Sequence, residues 1–185
     1  MLLILLQIGL PLLSFNWIMG CVSIENFYVL INGSPLGFFG ASRGIRQGFP
    51  LSPLLFLLII EGLSHLIGKA KSDGKIYGIK LSPSLVFSHL LFVDDAIIFG
   101  MGTLEEWKEY KEILNLFCVA SGMRFNLEKY YFLSNYIFKD TSKVITDILP
   151  YKMDLIDKGF KYMGFWLKHL GYVANDWHWI THIFE

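Results

Sequence analysis

An acidic pair inside an apolar stretch constrains this chain most. Residues 86–99 are mostly β-branched, aliphatic or aromatic, and Asp94 and Asp95 interrupt them. Because such residues favour strands, the pattern predicts two short strands that meet at the acidic pair. Two neighbouring carboxylates in apolar surroundings are costly to ionise unless a cation compensates them, and oxygen ligands suit Mg²⁺. The pair therefore indicates either a magnesium site or an ordinary polar turn.

One helix is predicted on each side of this stretch. The first covers residues 54–70, an apolar run in which Glu61 and His65 share one face. The second begins after Thr103, an N-cap residue, and Glu106 three positions later predicts a capping box. Apolar side chains then recur at helical spacing as far as the Ser121-Gly122 stop: Leu104, Trp107, Tyr110, Leu114 and Phe117.

Turn chemistry predicts further hairpins. Apolar residues flank Asn32-Gly33 in residues 27–39, and Asn-Gly tolerates the positive φ angles of a type I′ turn. Residues 160–167 predict another strand or hairpin. Pro150 is a plausible boundary between two parts of the chain.

Composition limits the classes of protein to which the chain can belong. Apolar residues make up 54% of the chain and charged residues 17%, which is more apolar than a typical soluble domain. Part of the surface is therefore expected to face a membrane or another protein. Sixteen basic and sixteen acidic side chains cancel, so nucleic-acid binding depends on a local basic run. In that run Glu61 and Asp73 accompany six cations: Arg43, Arg46, Lys69, Lys71, Lys75 and Lys80.

The first 24 residues carry no charged side chain. Such a stretch is compatible with a membrane anchor, but it lacks the basic start of a secretory signal, and polar residues interrupt it. We expect a buried helix without a membrane contact, in a protein of the cytoplasm or nucleus that is not secreted. Cys21 and Cys118 have no CxxC partner and are expected in the core, in a reducing compartment.

Three sequence blocks surround the acidic pair. Residues 44–53 (GIRQGFPLSP) precede Phe92-Val93-Asp94-Asp95 by one helix and one loop, and residues 121–129 (SGMRFNLEK) follow it after one helix. In this order and spacing the blocks resemble the reverse transcriptases of non-LTR retrotransposons, particularly the plant type, in which a FADD box stands at the acidic pair. Residues 160–164 (FKYMG) are similar to the segment of that family that grips the primer end.

The resemblance implies RNA-directed DNA synthesis from an RNA template, a DNA primer and deoxynucleoside triphosphates, with two Mg²⁺ ions that stabilise the attacking and leaving oxygens. Asp94 would be the principal metal ligand and Asp95 the secondary one. Lys129 would stabilise or protonate the leaving pyrophosphate, although the residues alone favour a solvated lysine. The resemblance also implies nucleotide or template contacts for Arg46, Gln47, Gly48, Pro50 and Asn126, and a primer grip at Tyr162, Met163 and Gly164.

The chain also departs from the family's pattern. The family uses a further aspartate on an earlier strand with an FDxxKAFD-like pattern, and the acids upstream of Asp94 (Glu25, Glu61 and Asp73) stand in no such context. The chain is expected to open inside the helix after that strand, without the fingers, the first catalytic strand and most of the thumb. Phe49 replaces the acidic residue that is most common at its position. We expect little or no polymerase activity from the chain alone, because transition-state stabilisation needs the complete set of charges.

Together these patterns predict an α+β reverse-transcriptase palm, truncated at its N-terminal side, in which helices pack an antiparallel sheet that carries Asp94 and Asp95. Residues 1–150 would form the partial palm domain, and residues 151–185 the primer-grip-like segment with the start of the thumb or an irregular tail. Two alternatives stay open. One is a non-catalytic remnant that binds nucleic acid through the basic run, and the other is a membrane-associated protein anchored by residues 1–24.

Overall fold

The computed structural model describes residues 9, 11–23, 26–40, 44–45, 48–126, 130–135, 139–149, 151–162, 165–168 and 171–177. The chain divides into two compact units, Met1–Phe125 and Asn126–Glu185, and each is described by itself. Pro150 lies outside the described residues, so the division into residues 1–150 and 151–185 stays a prediction.

Helix α1 (Leu12–Ser23) is covered along one side. Its buried residue, Phe15, packs with Leu55 in a small apolar cluster. Three large apolar side chains of the helix are exposed: Leu12, Leu13 and Trp17. The predicted buried helix is therefore only partly correct. The prediction that both cysteines lie in the core is wrong for Cys21, which is exposed because one side of α1 is uncovered, whereas Cys118 is half-buried.

Helix α2 (Ser52–Ser72) confirms the long helix that the apolar run predicts. Its buried side chains recur every three or four residues: Leu55, Ile59, Leu63, Ile67 and Ala70. Glu61 and His65 lie one turn apart on the exposed side. The helix is long and apolar enough to cross a membrane by length and composition alone, a test that the core helix of a soluble protein also passes. Its stripe of buried residues is typical of a core helix.

Helix α3 (Leu104–Ser121) confirms the second predicted helix. Thr103 Oγ1 accepts a hydrogen bond from the Glu106 backbone N–H at 3.3 Å, which satisfies one of the unpaired donors of the first turn. Gly122 ends the helix in the left-handed conformation, with φ +73°. The apolar side chains of its buried face are Trp107, Tyr110, Ile113, Leu114 and Phe117.

Two short antiparallel ladders follow α1 and confirm the predicted hairpin. Strands β2 and β3 are joined by Asn32 and Gly33, whose φ angles of +51° and +82° fit a type I′ turn. The outer pair, β1 and β4, continues the hairpin toward its base. The strands are β1 (Asn26–Phe27), β2 (Leu30–Ile31), β3 (Ser34–Pro35) and β4 (Phe39–Gly40).

Two further antiparallel ladders lie between α2 and α3. They consist of β5 (Ile79–Ser82) with β6 (Leu85–Phe87) and β7 (His89–Phe92) with β8 (Asp95–Ile98). The second ladder confirms the two strands predicted around the acidic pair. The sequence predicts one antiparallel sheet, whereas the strands in the described residues form separate two-stranded ladders, each at most four residues long.

The second unit contains a parallel pair and a hairpin. Strand β9 (Tyr131–Ser134) pairs in parallel with β10 (Lys152–Leu155). Parallel neighbours need a crossover connection, and helix α4 (Lys139–Ile148) lies between them in the chain. The hairpin of β11 (Phe160–Tyr162) and β12 (Phe165–Leu167) confirms the prediction for residues 160–167.

Candidate active site

The acidic pair lies at the tip of the β7–β8 hairpin. Phe92 pairs with Asp95, so Val93 and Asp94 form the two-residue turn between the strands. We call Val93, Asp94 and Asp95 the acidic turn. All three residues are exposed, and two adjacent carboxylates can therefore reach solvent and a cation.

Val93 adopts an unusual backbone conformation, with φ +51°. A β-branched residue rarely enters the left-handed region, because its side chain crowds the backbone there. Such a conformation costs about 1–3 kcal/mol and persists only where the surrounding structure imposes it. Two-residue hairpin turns usually place glycine, asparagine or aspartate at positive φ. The sequence signal for this strain is a valine in a two-residue turn.

Tyr110 of α3 holds the base of the same hairpin. Its hydroxyl oxygen lies 3.0 Å from the Ser88 carbonyl oxygen and 2.8 Å from the Phe99 carbonyl oxygen, and the two carbonyls share its single hydrogen. These residues flank the two strands, and the Phe99 N–H donates to the same Ser88 carbonyl at 2.9 Å. Burial, and after it the neighbouring Glu106, raise the pKa of Tyr110, so the hydroxyl remains a donor.

Glu106 has a different role from the one that its sequence position predicts. Its fully buried carboxylate accepts hydrogen bonds from the backbone N–H groups of Tyr77 (2.8 Å), Gly78 (2.9 Å) and Met101 (2.6 Å). These bonds replace the predicted return bond of the capping box with contacts to two loops. We call these two groups on α3 the brace: the Glu106 carboxylate and, one turn further along, the Tyr110 hydroxyl.

Two glycines allow the loops to approach the brace. A Cβ atom on Gly100 would lie 2.9 Å from Glu106 Oε2, and one on Gly78 would collide with the Phe87 carbonyl. Gly78 also has φ +64°, a conformation that favours glycine. The β5–β6 and β7–β8 hairpins therefore both start from segments that the brace holds.

His89 joins the β7–β8 hairpin to α2. Ser64 Oγ lies 2.9 Å from His89 Nε2, and Ser88 Oγ lies 3.0 Å from Nδ1. Burial lowers the pKa of His89, and the positive charge of Lys71 lowers it further, whereas Glu61 opposes the shift. The neutral imidazole has one donor and one acceptor nitrogen, and the two serine hydroxyl groups can complement both.

Two contacts give the direction of β7 relative to α2. Lys71 Nζ donates to the carbonyl of Val86, in β6, at 2.8 Å, whereas His89, the first residue of β7, contacts Ser64, which lies earlier in the helix. From the first contact to the second, the chain advances from β6 into β7 while the helix positions move back by about 10 Å, so this segment and α2 run in opposite directions.

The block predicted to contact nucleotide or template leads into the first turn of α2. Gly48 has φ +82° and is exposed, as is Pro50. The Phe49 carbonyl accepts from the Ser52 N–H at 3.0 Å, which starts the helix. Arg46 and Gln47 lie outside the described residues, so their predicted contacts remain predictions.

The remaining predicted site residues belong to the second unit. Asn126 is its first residue and is exposed. Tyr162 ends β11, where it pairs with Phe165 and is half-buried. Lys129, Met163 and Gly164 lie outside the described residues. The predicted roles of these residues in pyrophosphate release and primer grip therefore stay predictions.

The acidic turn has a donor set that fits a hard cation. Mg²⁺ in polymerase sites takes one or two protein carboxylates together with substrate phosphates, and Asp94 and Asp95 supply two. Within the described part of the chain, no group of three or more His, Cys, Asp or Glu side chains is placed to hold a metal ion. A cleft of about 250 Å³ lies at the C-terminal end of α2, away from the acidic turn. Its lining residues include Lys69, Lys75 and Glu109.

Part of the predicted basic run is engaged within the protein. Lys71 donates to the Val86 carbonyl, and Lys75 forms a 3.0 Å ion pair with Glu109. The hydrogen bond to Glu109 raises the pKa of Lys75. Arg43 lies outside the described residues, as does Arg46. The charge that this run offers to phosphates is therefore smaller than its composition indicates.

Known proteins share most of this sequence pattern. The family described as "Reverse transcriptase (RNA-dependent DNA polymerase)" matches residues 10–167. An uncharacterized mitochondrial protein of Arabidopsis thaliana is 51% identical over 73 residues, which are 38% of this chain and 60% of that protein, less than two thirds of its length. A plant relative agrees with the predicted plant-type resemblance. Because the family match runs across most of the sequence and includes the acidic turn, the chain belongs to the reverse transcriptase family.

Proposed function

We propose that the acidic turn is the metal-binding part of an RNA-directed DNA polymerase site of the non-LTR retrotransposon type. The observation that carries this proposal is the hairpin tip, where Asp94 and Asp95 are adjacent and exposed in a chain of the reverse transcriptase family. Asp94 is the principal ligand and Asp95 the secondary ligand for Mg²⁺. Two bound ions would stabilise the attacking and leaving oxygens of nucleotidyl transfer.

The proposed substrates are an RNA template, a DNA primer and deoxynucleoside triphosphates. The primer 3′-hydroxyl attacks the α-phosphate of the nucleotide, and pyrophosphate leaves. The block before α2 contributes the nucleotide or template contacts, and Gly48 and Pro50 fit this role because both are exposed next to the first turn of that helix. The other proposed contacts are Arg46, Gln47 and Asn126 for nucleotide or template, Lys129 for pyrophosphate, and Tyr162, Met163 and Gly164 for the primer.

We further propose that these 185 residues alone have little polymerase activity. The acidic turn supplies two carboxylates, and the described residues contain no larger group of metal-binding side chains. Preorganised charge around the reacting phosphate supplies much of the rate enhancement in such reactions, so an incomplete set loses most of it. A longer polypeptide that includes the family's upstream aspartate strand should be active. The proposed location is the cytoplasm or the nucleus.

Metal binding tests the proposal directly. Mn²⁺ is a paramagnetic probe for Mg²⁺ sites, and its binding to the purified chain can be measured by water-proton relaxation. We expect Asp94→Asn to weaken Mn²⁺ binding more than Asp95→Asn does. The matched control is Asp73→Asn, an exposed carboxylate beyond the other end of α2, which should leave binding unchanged. Equal affinity in the wild type and the Asp94 variant would reject the assignment.

Primer extension tests the reaction. With Mg²⁺ and an RNA template, the 185-residue chain should extend a DNA primer poorly, and a longer chain with the upstream strand should extend it well. In the longer chain, Asp94→Ala should reduce the extension rate by about a hundredfold or more, since it removes preorganised charge at the reacting group. Activity that survives this substitution would place the metal site elsewhere.

Membrane association is a second candidate, and the exposed apolar side chains of α1 favour it. Leu12, Leu13 and Trp17 are more than half exposed, with 66%, 61% and 65% of their surface accessible. A helix with such a face can lie in a membrane interface. Co-sedimentation of the purified chain with phospholipid vesicles distinguishes the two cases, because a chain that does not associate with membranes stays in the supernatant. Retention in the vesicle pellet that Trp17→Glu abolishes would support association through α1.

A further inference from the structure

The β7–β8 hairpin depends on its surroundings for its orientation. Its ladder contains four residue pairs, and an isolated two-stranded hairpin is marginally stable in water. Its tip is exposed, whereas its base is tied to α3 through the Ser88 and Phe99 carbonyls. The Glu106 carboxylate holds Met101, just beyond the end of β8. The direction in which the tip points is therefore set at the base.

The strained turn links the base to the carboxylates. Val93 at φ +51° stays strained only if the two strands that enter and leave the turn are held in register. Loosening of the base would let the turn relax, and Asp94, the next residue, would move with it. Neither Glu106 nor Tyr110 belongs to the turn, since both side chains contact backbone groups at the base.

We propose that Glu106 and Tyr110 are positioning residues: the brace sets the orientation in which Asp94 and Asp95 face a divalent cation. The proposal rests on the proposed function of the acidic turn as a metal site. It assigns to α3 a role in the reaction that its sequence pattern, a capped amphipathic helix, does not indicate.

Tyr110→Phe is the sharpest variant, because it removes one hydroxyl group and keeps the buried ring. Mn²⁺ affinity is measured by electron paramagnetic resonance on the full chain, well below its unfolding temperature. We expect affinity to fall about fivefold, the factor that corresponds to one hydrogen bond. The matched control, Tyr131→Phe, lies in the second unit with an exposed ring and should bind Mn²⁺ like the wild type. Unchanged affinity in Tyr110→Phe would overturn the proposal.

A second variant and a second measurement separate positioning from folding and from metal binding. Glu106→Gln keeps the size of the side chain and one acceptor oxygen, and should weaken Mn²⁺ binding while the chain stays folded. Hydrogen exchange of the amides in β7 and β8, measured without metal, should become faster in Tyr110→Phe. Exchange equal to that of the wild type would overturn the positioning role. If the wild type binds no Mn²⁺, the metal function fails, and faster exchange in the variant still supports control of the turn by the brace.

Discussion

Two hairpins of the first unit show different ways of holding a two-residue turn. In the β2–β3 turn, Asn32 and Gly33 take positive φ angles, which both residue types tolerate. In the β7–β8 turn, Val93 takes the same φ angle of +51°, which valine disfavours.

The flanks of the two turns differ as well. The first hairpin leaves Tyr28 and Phe38 exposed, in an edge-on aromatic contact with ring centres 5.4 Å apart. The second hairpin is tied at its base to α3 by the brace and to α2 by His89. A turn made by favourable local chemistry needs little support, whereas a strained turn persists because distant contacts hold the strands that carry it.

Removal of the buried Glu106 carboxylate should have the largest effect on stability. Glu106→Ala leaves the buried Gly78 N–H and the partly buried N–H groups of Tyr77 and Met101 without their acceptor. A fully buried unpaired donor costs about 1–3 kcal/mol and a partly buried one costs less, so we expect a loss of about 3 kcal/mol in the free energy of unfolding. Urea denaturation followed by circular dichroism measures the loss. Glu105→Ala, an exposed neighbour on the same helix, should change stability by less than about 0.5 kcal/mol. Similar effects of the two substitutions would contradict the brace.

Relief of the strained turn should raise the stability of the chain by a moderate amount. Val93→Gly removes a strain of about 1–3 kcal/mol, and the added freedom of glycine in the unfolded chain offsets part of it, so we expect a gain of about 1 kcal/mol. The matched control is Asn32→Gly, which should be close to neutral because asparagine already tolerates φ +51°. Thermal denaturation compares the two. A destabilised Val93 variant would show that the turn is not strained.

Acidification should have the smallest of these effects on stability, through the His89 contact. The pKa of His89 in the folded chain lies below the ordinary value of 6.5, so the unfolded chain binds more protons as the pH falls past that value. Stability from this group is therefore complete above pH 6.5 and declines as the pH falls toward the lowered pKa. Urea denaturation at pH 7.5 and 5.5 should show a weaker pH dependence in His89→Gln. The exposed His65→Gln variant should keep the wild-type dependence, and an equal response of both variants would point to another group.

The sequence predicts the local features of the fold well. The apolar runs place α2 and α3 within a few residues of their observed ends, Asn32-Gly33 marks one hairpin turn, and Asp94 lies in another. These features depend on spacing and turn chemistry within a few residues, so they can be recognised without knowledge of the fold. For the candidate site, the same reasoning assigned Asp94, Asp95 and the block that leads into α2, and their roles remain predictions.

Long-range contacts account for what the sequence did not predict. Glu106 fits a capping box by position, but its carboxylate bonds to Tyr77 and Gly78, 29 and 28 residues earlier in the chain. No local pattern reveals such partners, because a buried carboxylate can accept hydrogen bonds from any backbone N–H group that the fold brings close to it. Ser64 and His89, 25 residues apart, were missed for the same reason.

The helices, the hairpin turns and the family could be predicted from the sequence, because each of these follows from residues that are close in the chain or from motifs in a set order. Three features depend on contacts between distant residues and are visible only in the folded chain: the parallel pairing of β9 with β10, the strain at Val93, and the contacts of Glu106 and Tyr110 with the base of the β7–β8 hairpin. The physical reason is that buried backbone donors and acceptors must be satisfied wherever the fold brings partners together, regardless of their separation in the sequence.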